Sequence, residues 1–444
     1  MTSLEPWIEA QYGRASTAML RSISAVELSK TRPGFGQQIR CRPGAIIASP
    51  VLAAYDPDPD YFFHWYRDSA IVMDALRLLH EDGSLGAAAI GYLADFVHFS
   101  NSLRSLDGRE LVAAPAWRSR VTAQFQQFLR PDAELAAVHG EAVAAETRVN
   151  PDGSLDISNW GRPQHDGPAL RALTLLRWQR STLLDRGLAA ALAELLRADI
   201  AYVRRHWQEP CFDIWEEEKG LHYYTLRVSA AALDQASRWL ESRGEHSQAE
   251  ATAAEAATIQ AQLEAYWLAE AGYYRSRILA SGTPSPKDLD IAVILAALHA
   301  GDDAASHSPG DARSLATLDR LATMFDAAYA INRDRPATRQ PAMGRYAGDI
   351  YYSGGAYYFS SLGAAEFCYR AARIRALQGG ADSRQLLHRG DGFLETVRLY
   401  TPPGGELSEQ FDQNTGAQSS ARHLAWSYAA FITCVCARRT AMAG

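Results

Sequence analysis

The chain has 444 residues, 47% of them apolar and 21% charged, the balance of a soluble chain able to bury a sizeable core. Its net charge of −7, with no Lys/Arg run longer than a pair such as Arg204-Arg205, argues against a nucleic-acid partner. No stretch reaches the roughly 18 consecutive apolar residues of a membrane span.

The segment Met1 to Met19 carries Glu5 and Glu9 and lacks an uninterrupted apolar core, so no signal peptide is read there and a cytoplasmic setting is expected. The five cysteines, Cys41, Cys211, Cys368, Cys434 and Cys436, are odd in number and widely spread, which predicts free thiols rather than a disulfide scaffold.

Helical periodicity runs through the chain. Ile71, Ala75, Leu78 and Leu79 mark one face after Asp68, and Leu170, Leu173 and Leu176 mark the next. The second helix opens on Asp166-Gly167-Pro168, where proline's missing N–H costs nothing in the first turn. Leu192, Leu195, Leu196, Ile200, Val203 and Trp207 follow on one face. Ala231-Ala232 and the Ala-rich run 251–257 suit helices because alanine has the highest helix propensity. Ser285-Pro286 predicts a helix over 287–300, with Ile291, Ile294, Leu295 and Leu298 on its face. Roughly a dozen such segments, with almost no alternating β-branched run, predict an all-α fold. No Ser/Gly/Pro linker divides the chain, so one domain over residues 1–444 is expected.

Long connections at 40–66, 149–168, 208–224, 341–356 and 401–419 are rich in Gly, Pro and aromatic residues. Loops beyond about a dozen residues are functional or disordered, and disorder is poor in aromatics. These loops are therefore expected to be ordered and functional.

Four clusters within them carry chemistry. In Tyr61-Phe62-Phe63-His64-Trp65-Tyr66-Arg67-Asp68, Arg beside Asp offers a donor fork and a carboxylate acceptor suited to adjacent sugar hydroxyls. The competing reading is an Asp N-cap with a local ion pair. Trp160-Gly161-Arg162 offers an indole face for a pyranose and a donor for its hydroxyls, or else a tryptophan packed in the core. Around Phe212-Asp213-Ile214-Trp215, the carboxyls Glu216, Glu217 and Glu218 meet aromatics expected to desolvate at least one and raise its pKa, as a general acid requires. The fourth, Leu407-Ser408-Glu409-Gln410-Phe411-Asp412, supplies a second isolated carboxyl. Glycosidic cleavage uses such a pair, one protonated and one ionised. No H-E-x-x-H, Walker loop or G-x-S-x-G occurs, so no metal and no cofactor is expected. His64 and His423 are read as structural.

Taken in order, the motifs resemble glycoside hydrolase family 15, the glucoamylases, in its fungal-type catalytic form. They are Asp60-Tyr61-Phe62 through Trp65-x-Arg67-Asp68-Ser69; Trp160-Gly161-Arg162-Pro163-Gln164; Trp215-Glu216-Glu217; Gly344-Arg345-Tyr346 through Asp349-x-Tyr351-Tyr352; and Glu409-Gln410-Phe411-Asp412. The resemblance covers nearly the whole chain, from near Trp7 to Trp426-Ser427-Tyr428. It implies an (α/α)6 barrel and an exo-acting, inverting α-glucosidase whose partner is an α-glucan or α-gluco-oligosaccharide.

Glu216 is implied as general acid and Glu409 as the base that activates water. Arg67, Asp68 and Arg345 would grip the terminal glucose, Tyr61 would sit near the developing positive charge, and Trp65 and Trp160 would wall the pocket. Glu217 would bind substrate, the main chain at Gly161 and Arg162 would meet the leaving sugar, and Trp215, Tyr352, Tyr357 and Trp426 complete the implied binding set. After Tyr351-Tyr352 the family usually reads Asn-Gly-Asn-Pro-Trp, whereas this chain has Ser353-Gly354-Gly355-Ala356-Tyr357. That departure concerns the leaving-group side and leaves open an α-1,6-specific glucohydrolase. A non-catalytic glucan-binding regulator is the alternative from another class, and it would be free to lose Glu216 or Glu409.

Overall fold

The computed structural model describes residues 4–54, 57–303 and 305–443. Met1–Ser3 and Gly444, the ends of the span read as one domain, lie outside the described residues.

Two kinds of helix occur, and their sequences differ. One kind is buried nearly all round, as expected of helices inside a bundle. These are α2 (Tyr66–Glu81), α6 (Asp166–Trp178), α8 (Tyr223–Glu241), α10 (Ala292–Ala300), α12 (Tyr358–Leu377) and α14 (Ala425–Met442). In α12 every residue from Tyr358 to Tyr369 is buried. The other kind buries one stripe. Helix α7 (Arg186–His206) buries Leu188, Leu192, Leu195, Leu196, Ile200 and Val203, with Asp199 on the same stripe paired to Arg171 of α6. The remaining long helices are α1 (Leu4–Leu20), α3 (Ala88–Leu103), α9 (His246–Leu263), α11 (Ala312–Ala328) and α13 (Ser383–Tyr400). Short helices α4 (Gly108–Ala113) and α5 (Asp132–Ala136) lie in the connection between α3 and α6.

The buried helices close a ring: α2 packs on α6, α6 on α8, α8 on α10, α10 on α12, α12 on α14, and α14 on α2. Each has an outer neighbour, as in the α8–α9, α10–α11, α12–α13 and α14–α1 pairs. Six inner and six outer helices make an (α/α)6 barrel. Close approach inside the ring needs small residues. A Cβ on Gly363 of α12 would stand 2.7 Å from Leu295 Cδ2 of α10.

Three inner helices follow directly on short antiparallel strands that the sequence pattern did not reveal. His64–Trp65 pairs with Arg148–Val149 just before α2. Cys211–Phe212 and Arg277–Leu279 both pair with Lys219–His222 just before α8. Gln410–Phe411 pairs with Ala356–Tyr357 just before α12. At two to four residues each, these strands are too short to show alternation.

Two expectations need correction. The helix expected over 287–300 spans only Ala292–Ala300. Ser285 Oγ accepts the Lys287 N–H at 3.1 Å and Asp290 Oδ1 accepts the Ala292 N–H at 2.8 Å, so Pro286 opens a turn and the helix starts after it. Asp68 is not an N-cap, because α2 already begins at Tyr66 behind an extended Trp65. No helix among the described residues is long and apolar enough to cross a membrane, and all five cysteines are free.

Candidate active site

The long connections gather at the N-terminal ends of the inner helices. There they enclose a cavity of about 240 Å³ lined by Tyr61, Trp65, Arg67, Asp68, Trp160, Trp215, Glu216, Glu217, Arg345, Tyr351, Glu409 and Trp426, with Ala48, Ile214, Phe359 and Leu424. Each of the five connections singled out in the sequence contributes at least one of these residues. The floor is aromatic: Phe359 stacks on Trp426 with ring centroids 4.3 Å apart, and Trp215 stacks on both.

Glu216 stands at the tip of the hairpin joining Cys211–Phe212 to Lys219–His222. Trp65 Nε1 donates to its Oε1 at 2.9 Å, Arg67 Nη2 donates to the same oxygen at 3.0 Å, and Trp160 Nε1 donates to Oε2. Glu217 beside it accepts from Arg345 Nη2 at 2.9 Å, Tyr346 OH at 2.6 Å and Lys287 Nζ at 2.7 Å. The water-stripping expected of Phe212 and Trp215 is thus answered by protein donors at both carboxylates.

Glu409 has different surroundings. Tyr61 OH donates to its two oxygens at 3.2 Å each, Ser420 Oγ donates to Oε2, and Tyr351 OH lies 2.9 Å from Tyr61 OH. Burial pushes the Glu409 carboxyl up to about 7 against the opposing pull of Ser420, Arg345 and Tyr61. Asp68 is likewise pushed up to about 6 by burial, with Arg67 pulling the other way.

Arg67 donates to Gln164 at 3.1 Å and Asp166 at 3.3 Å as well as to Glu216. Its Nε stands 3.6 Å from Asp68 Oδ2, too far for a hydrogen bond, and both atoms are buried without a partner. Buried polar groups are normally satisfied. Asp68 also lines the cavity, where its carboxylate is an acceptor for a ligand hydroxyl. Arg345 is held by Asp349 through two bonds, at 2.7 and 2.6 Å.

Four residues from the implied set do not line the cavity. Gly161 packs behind Glu216, where an added Cβ would stand 2.9 Å from the Glu216 carbonyl oxygen. Arg162 turns its guanidinium onto Glu146 and Asp156, at 2.9 Å each. Tyr352 stands exposed beside Tyr351. Tyr357 is buried, accepting from Gln410 Nε2 at 2.7 Å and donating to Asp349 Oδ2 at 3.2 Å. Conversely, Ser420, Asp349, Tyr346 and Lys287 were not foreseen as site residues. Only Asp349 and Tyr346 fell within a recognised motif, Arg345 through Tyr352.

The sequence profile of glycosyl hydrolases family 15 matches residues 13–436. The chain belongs to this family. It is accordingly a glycoside hydrolase. Glucoamylase 1 of Rhizopus oryzae is 28% identical over 97% of this chain and 70% of its own length. A probable glucoamylase of Schizosaccharomyces pombe is 27% identical over 100% of this chain and 93% of its own. Among solved family 15 structures, the Hypocrea jecorina glucoamylase is 26% identical with a TM-score of 0.79, over 98% of this chain and 72% of that one. The Hormoconis resinae glucoamylase superposes equally well at 25% identity, over 98% and 74%.

Proposed function

We propose that this family 15 enzyme is an exo-acting, glucoamylase-type α-glucosidase that releases β-glucose from non-reducing ends of α-glucans and α-gluco-oligosaccharides, with Glu216 as general acid and Glu409 as general base. The observation that carries this reading is one cavity onto which Glu216 and Glu409 converge from separate loops, with Asp68 on the same wall. Inverting hydrolysis needs two such carboxyls, one to protonate the leaving oxygen and one to activate water. At about 240 Å³ the cavity falls below the roughly 300–1,000 Å³ typical of drug-sized sites, which suits one terminal sugar ring rather than a chain laid across the site.

Asp68 accepts hydroxyls of that ring, and Arg67 and Arg345 hold their neighbours in register. A sugar seated between the carboxyls displaces the Trp160 N–H from Glu216 Oε2, freeing that oxygen to hold the proton. Glu216 passes the proton to the glycosidic oxygen as the bond to C1 breaks. Glu409 takes a proton from water as the water oxygen bonds C1 from the opposite face. Tyr61, held against Glu409, faces the positive charge developing between them. The chain folds as one catalytic unit on this reading. A cytoplasmic setting is supported by a Saccharomyces cerevisiae relative, 24% identical, that is described as intracellular.

Glucose release from maltose, maltotriose, isomaltose, panose and soluble starch tests the proposal. We expect glucose as the only small sugar released from starch, glucose and maltose in equal amounts from maltotriose at early times, and resistance of chains blocked at the non-reducing end. Mixed oligosaccharides would contradict the exo reading, and binding without hydrolysis would return the regulator. Faster cleavage of isomaltose than of maltose would assign the α-1,6 alternative.

A further inference from the structure

We infer that Arg277 is the positioning residue of the acid loop: it holds the hairpin tip that carries Glu216 and couples it to the aromatic floor through Asp290. This rests on the assignment of Glu216 as the acid.

Glu216 has a backbone φ of +66°, a left-handed conformation that glycine adopts readily and glutamate adopts at a cost. Such strain persists only where surrounding bonds over-determine it. Here they converge on Asp213. Its carbonyl accepts the Glu216 N–H at 2.9 Å, and its Oδ1 accepts the N–H groups of Glu217 at 2.7 Å and Glu218 at 3.3 Å. The second oxygen of Asp213 is bonded by Arg277 Nη1 at 2.7 Å. The same nitrogen reaches Glu218 Oε2 at 2.8 Å, closing the loop from its other end.

The other arm of the Arg277 fork, Nη2, donates to Asp290 Oδ2. That oxygen also accepts Trp215 Nε1 at 2.8 Å, so the indole of the cavity floor and the acid loop share one anchor. Arg277 is buried, and its strand Arg277–Leu279 pairs with Lys219–His222, the far side of the hairpin. A planar fork reaching three carboxylates is a task that lysine, a point charge, cannot reproduce. Arg277 touches no cavity surface, so its influence on chemistry runs through Glu216 and Trp215.

The test compares two substrates. Maltose needs a proton on its leaving oxygen, whereas α-glucosyl fluoride loses fluoride with little need of one. A misplaced acid should therefore harm maltose turnover far more. We expect Arg277→Lys to lower kcat on maltose by roughly 10- to 100-fold, up to the lower end of what acid catalysis supplies, with KM changed less than about three-fold and fluoride turnover nearly kept. Equal losses on both substrates, or a change in KM alone, would overturn the inference. If Arg277→Lys fails to fold by circular dichroism, Asp213→Asn keeps an acceptor for the loop N–H groups while weakening the Arg277 bond, and the same split is expected of it. Glu216→Gln is run alongside: if it shows no such preference for fluoride, the acid assignment itself has failed rather than the positioning role.

Discussion

Of the carboxyls facing the cavity, the two proposed to do the chemistry are held in opposite ways. Glu216 sits on a hairpin tip and meets one cationic and two indole donors, inside a polar mesh that continues through Arg67 to Asp166 and Gln164. Glu409 sits in the loop ahead of Gln410–Phe411 and is buried against hydroxyls alone, those of Tyr61 and Ser420. Glu216 is bonded directly by a cation, whereas Glu409 is bonded by hydroxyls and feels Arg345 only through space, so burial dominates there and drives its carboxyl upward. The difference teaches that one pocket can impose unlike electrostatics on two identical side chains through neighbours recruited from separate loops.

The largest expected effect comes from removing the base. Glu409→Gln should lower kcat by about 10²–10⁴-fold on maltose and on α-glucosyl fluoride alike, since water must be activated for either substrate. Retained fluoride turnover would erase the distinction between the two sides. Next in size is Asp68→Asn. A hydrogen bond to a charged group is worth roughly 1.5–3 kcal/mol, so kcat/KM on maltose should fall by about 10- to 100-fold. An unchanged value would mean that this carboxylate does not meet substrate.

Stability should separate the carboxyls by sign. With its folded value near 7 above an ordinary carboxyl near 4.5, Glu409 costs nothing below about pH 4.5. It withdraws stability as pH rises through 7. Glu409→Gln should therefore stabilise the protein at pH 8 by on the order of 1–3 kcal/mol and hardly at all at pH 4.5. Glu216→Gln strips a partner from buried Arg67 and should destabilise at pH 8. Urea unfolding at both pH values reads the two signs, and like signs would break the comparison. The smallest effect is expected at Ser420→Ala. Losing that donor raises Glu409 further, so the acidic limb of kcat/KM, which requires ionised Glu409, should move to higher pH by about a unit or less. A downward shift would contradict the role given to the hydroxyl.

Helices such as α7 were legible from their single apolar stripe, whereas the closed ring followed from the family resemblance and not from periodicity, and α12, buried all along its first half, shows no stripe to read. The five loops were legible from their length and their aromatics, and the two carboxyls proposed for catalysis from local motifs. Residues whose task depends on partners far along the chain were not legible. Arg277 meets Asp213 across 64 positions, and Lys287 meets Glu217 across 70. Neither leaves a local pattern. The short strands escaped for want of length, and the start of α10 was misplaced because Ser285-Pro286 shapes a turn as readily as a helix start. Tyr357 shows the converse. Its aromatic ring suggested contact with the leaving sugar, yet burial against Gln410 and Asp349 turns it inward.

The division of labour between Glu216 and Glu409 is tested most directly by the anomer first released. Proton NMR during the opening minutes of soluble-starch hydrolysis, where the released glucose comes from non-reducing ends, should show β-glucose appearing ahead of its equilibrium share, with α-glucose growing in only by mutarotation, because water activated by Glu409 attacks the face opposite the leaving group. α-Glucose as the first product would contradict the account, since it would require a carboxylate attacking the sugar in place of water.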